Sequence, residues 1–262
     1  MALASTCYDI KINELTSKWS YVVPHKKYFL ILSLIFFIEF LILAVSPHDR
    51  SDWALENVLV LVFAIVMAAS YKKFTFSRIS YSMIFIFMCL HEIGAHYTYA
   101  RVPYDSFLIS HFNFSLNEMM GWDRNHFDRL VHFLYGLLMA YPFREIYCRI
   151  AYGKGFWGYF FPLLFTIAAS VTFELFEWAA AEVFGGDLGV AYLGIQGDVW
   201  DAQKDMALAS LGAFIAMLIV IGIHLWLQKD FSKEWKNSLR IKRKKPMGED
   251  EIVRLLDEQD KD

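Results

Sequence analysis

The sequence predicts an all-α fold, a polytopic helical bundle that crosses a membrane about six times. Three observations predict it. Apolar residues fall in six long blocks, near 28–46, 54–71, 79–100, 127–143, 156–184 and 203–228. Basic residues crowd alternate connections between those blocks. Ionisable residues inside the blocks gather at one depth.

Each block is long enough for a hydrocarbon core of ~30 Å, which takes roughly 20 residues at 1.5 Å rise. The first follows a 27-residue leader, too long a prelude for a cleavable signal of ~15–30 residues in all, and reads as a retained span. The fourth opens on charged residues and is the shortest. With a mean hydropathy of +0.34 and 18% aromatics, the chain is too apolar for an ordinary soluble domain. A formal charge of −3 argues against a nucleic-acid partner. Cys7, Cys89 and Cys148 have no paired spacing, so no disulfide framework is indicated.

Three regions follow: an amino-terminal tail over 1–27, the bundle over 28–228 and a carboxy-terminal tail over 229–262. Lys11, Lys18, Lys26 and Lys27 precede the first block; Lys72, Lys73 and Arg78 follow the second; Arg144, Arg149 and Lys154 follow the fourth; Lys229 to Lys245 follow the sixth. The intervening connections hold only Arg50, Arg101 and Arg124. By the positive-inside rule both termini are expected in the cytoplasm. Trp19, Tyr21, Trp53, Trp122, Trp157 and Trp200 fall near the expected span ends, where interfacial aromatics belong. After the last block, Phe231, Trp235 and Leu239 recur every four residues in a basic segment, a pattern expected to lie on an anionic leaflet. Pro246 and Gly248 end it, and an acidic segment with Ile252, Val253, Leu255 and Leu256 follows.

The polar residues of the blocks suit a site. Glu92, His96 and Tyr99 share a helical face at the end of the third span, with His91 one position aside. Asn125, Asp128, His132 and Tyr135 share one at the start of the fourth. Ser170, Glu174 and Glu177 form a stripe in the fifth, with Glu174 roughly 15 Å from its helix end. Asp198, Asp201 and Asp205 open the sixth on one face, followed there by Ala209 and Gly212, small enough for another helix to come close. With that topology all four groups lie in the outer half of the membrane. Each would cost about 2.5–3.5 kcal/mol if it faced lipid, so the groups are expected to face one another.

The chemistry follows from residue type. Glu92 with His96 and Asp128 with His132, each four apart, are pairs that hold a divalent metal from one helix face, and Glu174-x-x-Glu177 has the spacing of bundle carboxylate sites. Glu174, Glu177, Asp201, Asp205 and His91 are candidates for acid-base work. The bland alternative is a salt-bridge network, for which Arg101, Arg124, Arg129 and Lys204 are the available cations. Glu39 is a lone acid midway in the first span, Glu56 is expected at the interface, and His224 at a helix end. No GxSxG, Walker loop, HExxH or GxGxxG is present.

The run His91…Gly94…Tyr97-Thr98-Tyr99-Ala100-Arg101-Val102-Pro103, then Arg124-Asn125-His126-Phe127-Asp128-Arg129…His132-Phe133…Gly136 and Arg144-Glu145, resembles the YjdF-like family of bacterial inner-membrane proteins. Glu174…Glu177-Trp178 and Leu193-Gly194…Gln196-Gly197-Asp198-Val199-Trp200-Asp201-Ala202-Gln203…Asp205-Met206 complete the pattern. The resemblance spans roughly residues 28–228 and implies location and topology, not an activity. A lesser similarity is to VanZ-like membrane proteins, a group associated with tolerance of glycopeptide antibiotics, through Asp128…His132-Phe133 and Gly212-Ala213. The Asn usual before that Gly-Ala is not evident, and no resistance activity is carried over.

Three functional readings stand at this point. One is an enzyme or binding protein for an envelope lipid or lipid-linked substrate, with His and carboxylates as acid, base or ligands to a divalent metal. Another is a proton-coupled transporter or pH sensor. The third is an accessory protein whose polar residues only join helices.

Overall fold

The structure is a computed structural model and describes residues 24–186, 196–242 and 248–259. Most of the amino-terminal tail, with Cys7, Lys11, Lys18, Trp19 and Tyr21, lies outside the described residues, as do Leu193-Gly194 and the basic stretch Arg243–Lys245. All regular structure among the described residues is helical.

Six long helices form the bundle: α1 (His25–Leu43), α2 (Arg50–Ser70), α3 (Arg78–His96), α6 (Phe127–Ile150), α7 (Trp157–Phe184) and α8 (Asp201–Leu227). Two short ones, α4 (Tyr104–Phe112) and α5 (Leu116–Met120), cross the connection from α3 to α6; α9 (Phe231–Ser238) and α10 (Gly248–Gln259) follow α8. Of the long helices, α2, α3, α7 and α8 are apolar enough throughout to cross a membrane by composition alone. The other two are interrupted by charge: Lys26, Lys27 and Glu39 in α1, and Asp128, Arg129, Arg144, Glu145 and Arg149 in α6. The chain is therefore a polytopic helical membrane protein, and its lipid-facing surface is apolar, with Leu34, Phe37, Leu61, Ile65, Phe165 and Phe176 all about half exposed or more.

The helix starts obey local chemistry. Asp49 caps α2 by accepting the Ser51 and Asp52 N–H groups, which holds its carboxyl below the usual carboxylate range. Ser77 caps α3 through the Ser80 N–H. Helix α6 outruns the apolar block predicted to end at 143 because its charges find partners. Glu145 accepts the Ser77 N–H and the Ser80 hydroxyl, and Arg144 lies over the Tyr159 ring.

Helix α6 is the centre, packed on α3, α7 and α8, while α1 and α2 pack on α3. The α6–α8 seam is made of small residues. A Cβ on Gly136 would strike the Ala209 carbonyl, and one on Gly212 would strike that of Phe133. Ala140, Ala209 and Ala213 fill the same seam with no exposure. The close approach expected from Ala209 and Gly212 is thus present, with α6 as the partner.

Two expectations change at the ends. Helix α8 begins at Asp201, so Asp198 is off its face: its carboxylate accepts the Trp200 N–H just before the helix. Helix α3 ends at His96, and the left-handed Thr98 and Tyr99 turn the chain back. Tyr99 then returns its ring over Gly94, where a Cβ would sit 2.5 Å from it, and is no longer on a face with Glu92 and His96.

Helix α9 also departs from expectation. Its apolar residues Phe231 and Trp235 do not form an open face; they pack against the Ala140, Tyr159 and Met217 core. By contrast Ile252, Val253, Leu255 and Leu256 on α10 are exposed.

Candidate functional site

At the end of the bundle where α3 and α7 finish and α6 and α8 begin, the acids converge. Asp128, His132 and Asp205 each offer a ligand atom, and these atoms lie within 4.8 Å of one another. Their proximity is a consequence of the seam. Asp128, His132 and Gly136 are spaced by four on α6, and Asp201, Asp205 and Ala209 by four on α8, so the glycine contact brings both stripes together.

His132 is the hinge of the group. Its Nε2 is 3.5 Å from Asp128 Oδ1 and its Nδ1 is 3.6 Å from Glu174 Oε1. Both distances are beyond a good hydrogen bond. Glu174 stands on α7, with Glu177 beside it one turn on. Asp205 Oδ1 and Glu174 Oε1 are buried without a hydrogen-bond partner, as is Ser170 Oγ one turn below. A cavity of about 310 Å³ is lined by Asp128, Glu174, Glu177 and Asp205, with Val171, Leu175, Trp178, Ala202, Gln203 and Met206 around them. Its acids come from α6, α7 and α8; Leu175 and Trp178, more than half exposed, put its apolar side toward the outer surface of α7.

The cations stand beside the cavity, not in it. Arg124 pairs with Asp201 at 2.6 Å, and Arg129 with Asp201 at 3.1 Å and with Asp198. Lys204 reaches Asp198 at 2.6 Å. Three cations are thus committed to two aspartates, and the Lys204 hydrogen bond, followed by those from the Trp200 N–H and Arg129, holds the Asp198 carboxyl well below the usual carboxylate range. Arg101, the fourth cation the sequence offered, turns away to His48.

The other predicted residues form a neighbouring nest. His91 is buried, with Nδ1 2.5 Å from the Tyr99 hydroxyl and Nε2 3.9 Å from Glu56. Glu92 is fully buried on the side of α3 that faces α1 and α2, among Glu39 and Asn57. His96 Nδ1 meets the Leu43 carbonyl oxygen at 2.6 Å. Glu92 and His96, the expected ligand pair, take different neighbours around α3, and the group of three ligands found among the described residues is Asp128, His132 and Asp205. What the sequence reading missed at Glu56 is its burial: it is 4% exposed, and with Asp52 and Val60 it makes the buried face of α2. The four-residue spacing of Asp52, Glu56 and Val60 was the available signal.

This geometry defines a polytopic membrane protein with a buried histidine–carboxylate cluster at one end of a helix bundle. The chain belongs to the family described as predicted membrane protein (DUF2238), whose model matches residues 28–225. That is the YjdF-like family the motifs resembled. It is similar to the inner membrane protein YjdF of Escherichia coli (strain K12), with 33% identity over 181 residues, covering 69% of this chain and 82% of that protein. No solved structure matches it.

Proposed function

We propose that this protein binds a divalent cation at Asp128, His132 and Asp205 and uses it, with Glu174 and Glu177, to hold or act on an envelope lipid or lipid-linked substrate. The observation that carries the reading is the convergence of three ligand atoms within 4.8 Å from two helices, with Asp205 Oδ1 buried and unpartnered. One imidazole and two carboxylates suit Zn²⁺ or Mn²⁺. In such a site Asp128, His132 and Asp205 hold the ion, and Glu174, next to His132 Nδ1, orients the ring. A bound ion would supply Lewis acidity at the cavity floor. Glu177 would stand as acid or base at the cavity wall, with His91 held in one tautomer by Tyr99 in the adjoining nest.

A lipid-like ligand is favoured by the make-up of the cavity. Its acidic residues are accompanied by exposed apolar side chains of a membrane-spanning helix, Leu175 and Trp178. The relative's name supports an inner-membrane location. The basic residues at the opposite end support cytoplasmic termini and a site in the outer half of the membrane. A proton path through the bundle is less favoured. Below the acids the interior is apolar, with Ile84, Met88 and Met139 on one side and Ala140, Ala213 and Met217 on the other.

The test is metal content. Purified protein, loaded with Zn²⁺ or Mn²⁺ and freed of excess, is expected to retain about one ion per chain. His132→Gln and Asp205→Asn should lose it while the ion-free melting temperature stays close to wild type. Glu177→Gln should keep the ion and lose copurified lipid. Wild-type protein that retains no more ion than the His132→Gln variant would remove the metal reading. Lipid retention unchanged by Glu177→Gln would remove the substrate reading.

A further inference from the structure

We infer that a second site, at the opposite end of the bundle, binds the phosphate-bearing headgroup of an anionic phospholipid. A cleft of about 720 Å³ lies between the α6–α7 connection and α9, and Lys154, Lys233 and Lys242 stand around it. Its floor and one wall are aromatic, with Tyr147, Trp157 and Phe161 among the lining residues. The volume falls in the range of ligand sites, roughly 300–1,000 Å³.

The cleft is built, because α9 is clamped in place. The Gly155 N–H donates to Glu234 Oε1 at 2.9 Å, the Phe156 N–H to Ser238 Oγ at 3.0 Å, and the Trp157 indole N–H to the Ser238 carbonyl at 2.9 Å. Gly155, with φ of +55°, leaves no room for a side chain, since a Cβ there would lie 2.7 Å from Ser238 Cβ. Phe231 and Trp235 are spent on the bundle core, while Leu239, the third residue of the expected stripe, stays exposed just past α9. Of the two lysines of α9, Lys233 is turned to the cleft.

Charge selects the ligand. Two acids also line the cleft, Asp230 and Glu234. Glu234 is committed, with one oxygen on Gly155 and the other accepting from the Gln228 amide at 2.7 Å. The three lysines are exposed, and among the described residues Lys204 is the lysine that makes a salt bridge. Three lysines against two carboxylates leave the cleft net positive by one charge, and with Glu234 turned to its own hydrogen-bond donors there is room for a phosphate. The ligand is a lipid and not free phosphate because the aromatic wall continues. From Phe161 the exposed Leu164 and Phe165 carry an apolar track along α7 into the membrane-spanning surface. Trp157 and Tyr152 stand at the headgroup level, as interfacial aromatics do. Basic pockets between spans are suited to anionic headgroups.

The test uses the full-length protein in nanodiscs with equal phosphatidylglycerol and phosphatidylcholine, and reads the ratio of the two lipids retained after release, by native mass spectrometry. Wild type should favour phosphatidylglycerol. Lys154→Gln, Lys233→Gln and Lys242→Gln should each lower the ratio about fivefold, the factor that corresponds to the worth of one basic residue near an anionic surface. Lys236→Gln, on the same helix but not lining the cleft, should leave the ratio unchanged. Inorganic phosphate at millimolar concentration should not displace the lipid. Three outcomes overturn the site: no phosphatidylglycerol preference in wild type, an equal loss from Lys236→Gln, which would make the effect general surface charge, or displacement by inorganic phosphate.

Discussion

Replacing Gly136 by alanine should loosen the fold and the acid cluster together. The added Cβ would strike the Ala209 carbonyl oxygen and lie 2.8 Å from both the Ala209 carbonyl carbon and the Ala213 nitrogen. Ordinary contact needs ~3.5–4.0 Å and the carbonyl oxygen is the nearest atom, so α6 and α8 must part by more than about 1 Å. Backbone cannot rotate aside as a side chain can. Overpacking costs about 1–3 kcal/mol, here at the upper end because the clash is with backbone, and alanine returns about 1 kcal/mol of helix propensity, so the net loss is about 2 kcal/mol. The same movement acts on the cluster, since Asp128 and His132 lie on the stripe that ends at Gly136 while Asp205 is across the seam. Metal sites tolerate about 0.2 Å in ligand distance, so a shift of more than about 1 Å should lower ion affinity tenfold or more. Reversible unfolding in mixed detergent micelles reads the first effect and Zn²⁺ titration the second. Gly212→Ala, against the Phe133 carbonyl, should behave alike, and the double variant should lose less than the sum because one movement relieves both clashes. Wild-type stability in Gly136→Ala, within about 0.5 kcal/mol, would refute the seam as the element that sets the site.

Two further outcomes test other levels of the reading. In a cysteine-free background, Ser51→Cys should react with an impermeant external thiol reagent in intact cells and Lys73→Cys, at the other end of α2, should not; the reverse pattern would invert the proposed orientation. Asp198, held below its unfolded value of about 4 by Lys204 and Arg129, contributes stability above that pH and loses it as pH falls toward its folded value. Below about pH 4 the melting temperature of wild type should therefore fall more steeply than that of Asp198→Asn, and parallel profiles would show that the pairing adds nothing.

The bundle was legible because hydropathy over some twenty residues is a strong signal, and the long helices sit within a few residues of the apolar blocks except at the carboxy-terminal end of α6. Convergence of Asp128, His132 and Asp205 was legible from i, i+4 spacing and from small residues placed one and two turns farther along each stripe. What failed was what depends on helix ends and on rotation about the axis. Asp198 matches the spacing of Asp201 and Asp205, yet α8 starts three residues later. Tyr99 matches Glu92 and His96, yet the chain leaves the helix at Tyr97 and turns left-handed. Glu92 and His96 satisfy the same spacing as Asp128 and His132, but the acid stripe opposite them on α2, Asp52 and Glu56, brings Glu56 to His91, at 3.9 Å. Glu56 was read by its depth alone, when the Asp52–Glu56–Val60 repeat already marked the buried face of α2.

The arrangement of charges bears on why the cluster exists. A bundle that needed only helix contacts could continue the small-residue seam of Gly136, Ala140, Ala209 and Gly212 to its end. Instead the seam ends in Asp128 opposite Asp205, with Glu174 joining from α7. Two ionised carboxylates no more than 4.8 Å apart would repel by on the order of 3 kcal/mol or more at an effective dielectric of about 20. The glycine contacts prevent the helices from splaying to relieve it. The arginines and lysine that could offset it pair with Asp198 and Asp201 instead. Replacing such buried charge by packed apolar residues is often neutral or stabilising, so a purely structural role gains nothing from it. A cation held between Asp128, His132 and Asp205 turns the same repulsion into attraction. On that account the small-residue seam and the acid cluster are one device: close packing at one end holds ligands together at the other.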